Sequence, residues 1–245
     1  MDRLSVIPEV FFDMIARFAP GTVFLTGLTL AVPDARRLVI DASGDSANLP
    51  PMSLLIPLAV ICAWAAGFLL SVASHLIESL YSWGVHAVRY AMGDTLTPKQ
   101  RLFCAIEFCL GLPVMLFTCK QFVYYRFDSS TQARVKEKIK QVFGCDYRKM
   151  PFWLCLDYVR THATGPAASA VVKSLAEATC ARSLTLGFLV IGFTAWAYTS
   201  LVASIPAFAL ATIASAGFSC YRVQVGHRML LSLLFAPTQQ EVDGG

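Results

Sequence analysis

The residues with chemical capacity are few and scattered. His75 and Glu78 stand three apart, and His86 follows about two turns after Glu78. On one helix that spacing could gather three nitrogen and oxygen ligands for a metal, or pass a proton. Nothing in the chain fixes companion ligands, and residues that merely face lipid headgroups have the same spacing. No metal is therefore expected, and His75, Glu78 and His86 stand as the candidates if one binds. Eight cysteines are a second resource, but no two have C-x-x-C spacing, so zinc has little support. Cys104, Cys109, Cys119, Cys145, Cys155 and Cys180 fall in a stretch expected on the reducing side of a membrane, and Cys62 and Cys220 fall in apolar runs. All eight read as small hydrophobes. There is no glycine-rich phosphate loop, nucleophile elbow or H-E-x-x-H. These absences disfavour an enzyme, and neither a catalytic residue nor a cofactor is expected.

Two charged constellations remain. Glu9, Asp13 and Arg17 recur every four residues, so they share one helical face and Asp13 can pair with Arg17. The simple reading is a structural ion pair at a membrane interface. The alternative is an oligomer contact or a polar seam within a helix bundle. The second constellation is a basic block: residues 120–182 carry eleven basic side chains against five acids. Within it Lys136, Lys138, Lys140, Arg148 and Lys149 are the candidates for contact with an anion. The bland partner is the anionic headgroup of the lipid bilayer. The sharper one is an anionic ligand such as a nucleotide. Nucleic acid is not expected, because no recognised binding motif accompanies the charge.

The elements that must position these residues are dominated by membrane physics. Of the 245 residues 56% are hydrophobic and 15% charged, where a soluble domain carries about 25% charge. Ser53 to Ile77 contains no Asp, Glu, Lys or Arg and is longer than a hydrocarbon core of about 30 Å requires. Ser183 to Ala203 and Pro206 to Cys220 are likewise uncharged, and the break between them is expected at Ser204-Ile205-Pro206. Phe18 to Val32 is a shorter candidate. It follows a stretch in which Ile7, Val10, Phe11, Met14, Ile15 and Phe18 repeat at helical spacing, as in a helix that lies in the interface and turns inward at Pro20-Gly21. No signal peptide is expected, since acids precede the apolar run. Leu102 to Cys119 is apolar enough to tempt a fifth span. Glu107 at its middle would be costly in lipid, by about 2.5–3.5 kcal/mol, so a buried or half-inserted helix is expected there.

The expectation is an all-α membrane bundle of about four transmembrane helices with a helical cytoplasmic domain. Residues 1–77 would hold an amphipathic helix and two spans, 78–182 the cytoplasmic helical region, 183–222 two further spans, and 223–245 a cytoplasmic C-terminal segment. With that division, all of the 20 Lys and Arg residues except Arg36 and Arg37 lie on one side. The positive-inside bias then puts both termini in the cytoplasm. Within 120–182, Ser129 or Ser130 is expected to cap a helix ending at Phe143 before Gly144. A second helix should begin near Pro151, and a third near Ala167 should run unbroken into the third span.

The opening IPEVFFDMIARFAPG and the later LAEATCARSLTLGFLV resemble segments of uncharacterised bacterial multi-pass membrane proteins, through Pro8, Glu9, Asp13, Ala16, Arg17, Pro20, Gly21, Glu177 and Arg182. The resemblance covers about a quarter of the chain. It implies a similar architecture in a bacterial inner membrane, no catalytic residue, and an association with defence or stress systems. The leading functional expectation is a non-enzymatic, homo-oligomeric membrane effector or sensor coupled to the basic domain. The alternative is a small transporter or an accessory subunit of a membrane complex.

Overall fold

A computed structural model describes residues 6–44, 52–75, 89, 91–95, 97–102, 105, 126–163 and 166–237, and among these every regular element is a helix. The chain divides into two compact units. An apolar unit comprises Asp13–Leu80 and Thr179–Phe218, and a basic unit comprises Met1–Phe12, Tyr81–Ala178 and Ser219–Gly245. The helices are α1 (Val6–Ala31), α2 (Pro33–Gly44), α3 (Met52–Ala73), α4 (Ser129–Phe143), α5 (Phe152–His162), α6 (Pro166–Tyr198) and α7 (Leu201–Phe235). Four of them are long and apolar enough to cross a membrane, through Met14–Ala31, Leu54–Ala73, Ala168–Tyr198 and Leu201–Phe235. Leu54–Ala73 is the most apolar, with a mean hydropathy of 2.3, yet only 17% of it is buried inside the protein. Leu54, Ile56, Leu58, Ile61 and Leu69 are all exposed on it, a patch that a water-facing surface does not sustain.

The apolar unit is assembled through small residues. Gly21 of α1 meets Ala63 and Gly67 of α3, and these three and Ala16 are buried. A methyl group on Gly21 would overlap the Ala63 carbonyl oxygen and come within 2.7 Å of the Gly67 nitrogen. The two backbones therefore touch directly. This is the packing that drives helix association where no water is available to do so. It also explains why α1 does not break at Pro20-Gly21 as expected from sequence. Pro20 removes one helical hydrogen bond, but it is buried beside Gly21, and α1 continues through it as one helix. The apolar window accordingly starts at Met14, four residues before Phe18, and Met14, Ile15 and Phe18 face outward.

The reversal between α6 and α7 also differs from expectation. It falls at Thr199-Ser200, and Pro206 lies inside α7. Ser200 is the reason: its hydroxyl accepts the Ala203 backbone N–H at 3.2 Å, which caps the start of α7. Thr199 closes α6, its backbone N–H reaching the Ala195 carbonyl at 2.9 Å. Pro206 comes only five residues after the first helical residue, so a single carbonyl loses its partner there. Far from stopping near Cys220, α7 continues to Phe235. At 33 and 35 residues, α6 and α7 reach about 50 Å, beyond the hydrocarbon thickness. The segment after Val32, which lies between two apolar runs, forms α2. Pro33 supplies the preset φ of a first helical residue, and Asp34 complements the helix dipole.

The basic unit has a core of its own. Val135, Ile139, Cys155, Val159, Val171, Met229, Leu230 and Leu233 are buried together, so α4, α5, the start of α6 and the end of α7 share one interior. Arg228 of α7 reaches α6, donating to the Ala170 carbonyl at 3.1 Å and to the Ser174 hydroxyl. Tyr158 of α5 donates to the Pro237 carbonyl at 2.7 Å. α5 begins after Pro151, and α6 begins at Pro166 and runs unbroken, both as the sequence leads one to expect. Residues 103–104 and 106–119, and so nearly all of the fifth apolar candidate, lie outside the described residues.

Candidate functional site

The best-built polar site lies at the end of α4. Asp128 caps that helix, in place of the expected Ser129 or Ser130. Its carboxylate accepts the Thr131 backbone N–H at 3.0 Å, the Thr131 hydroxyl at 2.6 Å and the Ser130 hydroxyl. These donors, Ser130 first, hold its carboxyl well below the usual carboxylate range. Val135, Ile139 and Val142 bury one face of α4, which leaves the lysines on the others. Gly144 ends the helix with φ 63°, its N–H returning to the Lys140 carbonyl at 2.9 Å. A side chain at that φ would be strained, so the glycine is what allows the sharp stop. Asp146 then accepts the Arg148 backbone N–H at 2.9 Å, and the resulting turn presents Cys145, Tyr147 and Arg148.

Tyr147 packs against the core of the basic unit, and its hydroxyl donates to the carboxylate of Asp94. Arg148 ties the pair together, with 2.9 Å from its Nη2 to Asp94 Oδ1 and 3.2 Å from its Nε to the Tyr147 hydroxyl. Asp94 is presented by Gly93, which adopts φ 80° and whose carbonyl accepts from the Arg126 guanidinium at 3.3 Å. Burial raises the Asp94 carboxyl, but the hydrogen bonds from Tyr147 and Arg148 outweigh it and leave the group below its ordinary value. Burial, then the bond to Asp94, raises the Tyr147 phenol. Beside this triad is a cavity of about 380 Å³ lined by Lys136, Glu137, Lys140, Cys145, Asp146 and Tyr147. The Lys136 ammonium lies 5.1 Å from the centre of the Tyr147 ring, within cation–π range. Glu137 already accepts from Gln141 Nε2 at 3.3 Å, and Asp146 from its own turn. The lining thus carries two cations, Lys136 and Lys140, and two carboxylates that are each engaged with a neighbour, so the two lysines are the cationic groups a ligand would meet.

The basic candidates from sequence thus divide. Lys136 and Lys140 line the cavity; Lys138 is half-buried on α4 and does not. Arg148 is committed to Asp94 and Tyr147, and Lys149 is exposed, its backbone N–H bonded to the Asp146 carbonyl at 2.9 Å. In the other constellation, the side chains of Glu9 and Asp13 lie outside the described residues. Arg17 places its guanidinium 5.4 Å from the centre of the Phe68 ring on α3. Of the metal candidates, Glu78 and His86 lie outside the described residues. His75 meets Arg182, with 3.2 Å between its Nδ1 and Arg182 Nη1 and 3.4 Å between its Nε2 and Arg182 Nη2. No group of three potential metal ligands occurs among the described residues.

Sequence reasoning missed Asp94 and Tyr147, which stand 53 residues apart, and the role of Arg182. Arg182 is 5% exposed in the apolar unit and donates from Nε to the buried Ser74 hydroxyl at 3.0 Å. Its signal was available: a guanidinium at the mouth of an uncharged run needs an acceptor within the bundle. For Asp94 there was only Gly93-Asp94, an ordinary turn pair. Among the cysteines, Cys155 is fully buried and its thiol is pushed up to about 12 by burial, while Cys62 is exposed. No protein-family model, curated protein or solved structure matches the chain.

Proposed function

We propose that the protein is a non-enzymatic membrane effector or sensor whose basic unit takes an anionic ligand, such as a nucleotide, beside Lys136, Lys140 and Tyr147. In this reading the four apolar helices cross a bacterial inner membrane, with both termini and the basic unit in the cytoplasm. The excess of Lys and Arg in residues 120–182 supports that orientation. One observation carries the reading: Tyr147, a wall of the cavity, packs on the same core as the start of α6 and the end of α7. A ligand that shifts Tyr147 therefore acts on the interior from which two candidate spans emerge. Four helices leave little room for an aqueous path within one chain, so the active form is a homo-oligomer.

The test uses full-length protein in dye-loaded vesicles, with ATP and inorganic phosphate as probes. Ligand-dependent dye release with a change in oligomer size is the expected result, and Lys136→Glu with Lys140→Glu should abolish it. Absence of both self-association and ligand-dependent release overturns the reading. A second reading, an accessory subunit of a membrane complex, draws on the small buried share of α3, which leaves most of that helix for a neighbour. It predicts a stable co-purifying membrane protein.

A further inference from the structure

The apolar unit contains a groove of about 640 Å³ between α1, α6 and α7, unrelated to the cavity at Tyr147. That volume falls within the range of small-ligand sites, roughly 300–1,000 Å³. Small residues keep it open: Gly27 on α1, Ala195 on α6 and Ala207 on α7 all contribute to its walls. Gly27 also lets Ile191 approach closely, since a methyl there would lie 3.1 Å from Ile191 Cγ1 and nearer still to its Cδ1. Two of the three threonines in the walls turn their hydroxyls to nearby backbone. Thr22 donates its hydroxyl to the Phe18 carbonyl at 3.0 Å and Thr199 donates to the Ala195 carbonyl, so both offer methyl groups to an occupant. One charged residue lines the groove, Arg36. It is exposed on α2, five residues past the end of the apolar window Met14–Ala31. In a bilayer that position is at headgroup level.

From this arrangement we infer that the groove binds an anionic phospholipid, one acyl chain lying against Gly27, Ala195 and Ala207 and the phosphate held by Arg36. The chemistry has two parts that meet at the correct depth. A slot walled mainly by apolar side chains suits a hydrocarbon chain, and a cation at its edge suits a phosphodiester. Arg37, the next residue, does not line the groove and serves as an internal control. The inference rests on the four helices crossing a bilayer and is independent of any ligand at Lys136.

The experiment incubates detergent-purified full-length protein with equal amounts of dioleoyl phosphatidylglycerol and dioleoyl phosphatidylcholine, then repurifies it and quantifies bound lipid by mass spectrometry. Wild type should retain phosphatidylglycerol over phosphatidylcholine by about fivefold, the preference one basic side chain confers near a charged lipid surface. Arg36→Gln should bring the ratio to parity and Arg37→Gln should leave it unchanged. Thr26→Phe, on the exposed wall of the groove, should remove both lipids. Three results overturn the inference: no retained lipid in wild type, a preference untouched by Arg36→Gln, or a dimer dispersed by Thr26→Phe, which would make a second copy the occupant. Should Thr26→Phe lose its helical circular dichroism, the Arg36 and Arg37 comparison decides. Extraction of cell membranes with carbonate, run in parallel, separates failure of membrane insertion from failure of the groove.

Discussion

Gly67 of α3 lies directly against the backbone of Arg17 in α1: a methyl group on Gly67 would overlap the Arg17 carbonyl oxygen and sit 2.6 Å from its carbonyl carbon. Backbone atoms cannot swing aside as a long side chain can, so any larger residue must push the helices apart. Gly67→Ala is expected to destabilise the apolar unit by about 1–3 kcal/mol, the usual range for overpacking. Ala65→Val, on the exposed face of the same helix, should change stability by no more than about 0.5 kcal/mol. Thermal unfolding in detergent compares the two; equal effects would show that the crossing tolerates separation.

The buried guanidinium of Arg182 donates from Nε to the Ser74 hydroxyl, and Ser74 also donates to the Ser71 carbonyl at 2.8 Å. Removing the hydroxyl takes this bond from the charged guanidinium, whereas the serine keeps its bond to Ser71 if the arginine is lost. Ser74→Ala should therefore destabilise by about 1–3 kcal/mol, the range for a lost hydrogen bond to a charged group. In a double-mutant cycle with Arg182→Leu, the coupling should lie between about 0.5 and 3 kcal/mol. A coupling of zero would mean that the two side chains act independently.

Acid should weaken the basic unit through Asp94. Its folded value lies below the unfolded one, near 3.9 for an aspartate, so the native state binds fewer protons across that window. The stability contributed by Asp94 is complete above the unfolded value and is lost as pH falls through the folded one. Urea midpoints between pH 7 and pH 3 should fall most steeply below about pH 4. Asp94→Asn should lower the midpoint at pH 7 and flatten the acid limb. An unchanged slope in that variant would assign the acid sensitivity to other carboxylates.

Thiol chemistry should sort the cysteines of the basic unit by burial. Cys155, fully buried and shifted to about 12, should resist maleimide at pH 7.5 until the unit unfolds. Cys145, half-exposed at the cavity, should react in the native protein. Peptide mapping by mass spectrometry reads both, and rapid native modification of Cys155 would show that the core around it opens.

How far these features could be read from the chain depended on distance along it. The limits of α4 followed from local chemistry, a polar cluster before Thr131 and a glycine after Phe143, though the cap itself is Asp128. The restart at Pro166 was equally local. Pro206 misled because proline breaks helix interiors but is tolerated near a start, and the decisive residue was Ser200, which also offers a capping hydroxyl. The segment that forms α2 drew no helix prediction because it lies between two apolar runs and interleaves four charges with its apolar residues. Its Pro33-Asp34 opening was the overlooked signal. Arg182 and Ser74 stand 108 residues apart, and Arg148 and Asp94 stand 54 apart. No periodicity connects such partners; only the packing of helices against one another does.

The reversal between α6 and α7 has a practical consequence. With Thr199 and Ser200 alone outside the helices, and both hydroxyls bonded to nearby backbone, that tip has no slack. A protease needs a stretch it can draw into an extended form, and an inserted epitope needs somewhere to enter without unwinding a turn. That corner is expected to resist digestion and to reject reporter tags. Antibodies and cleavage sites meant to follow this protein in intact cells will have to be carried elsewhere.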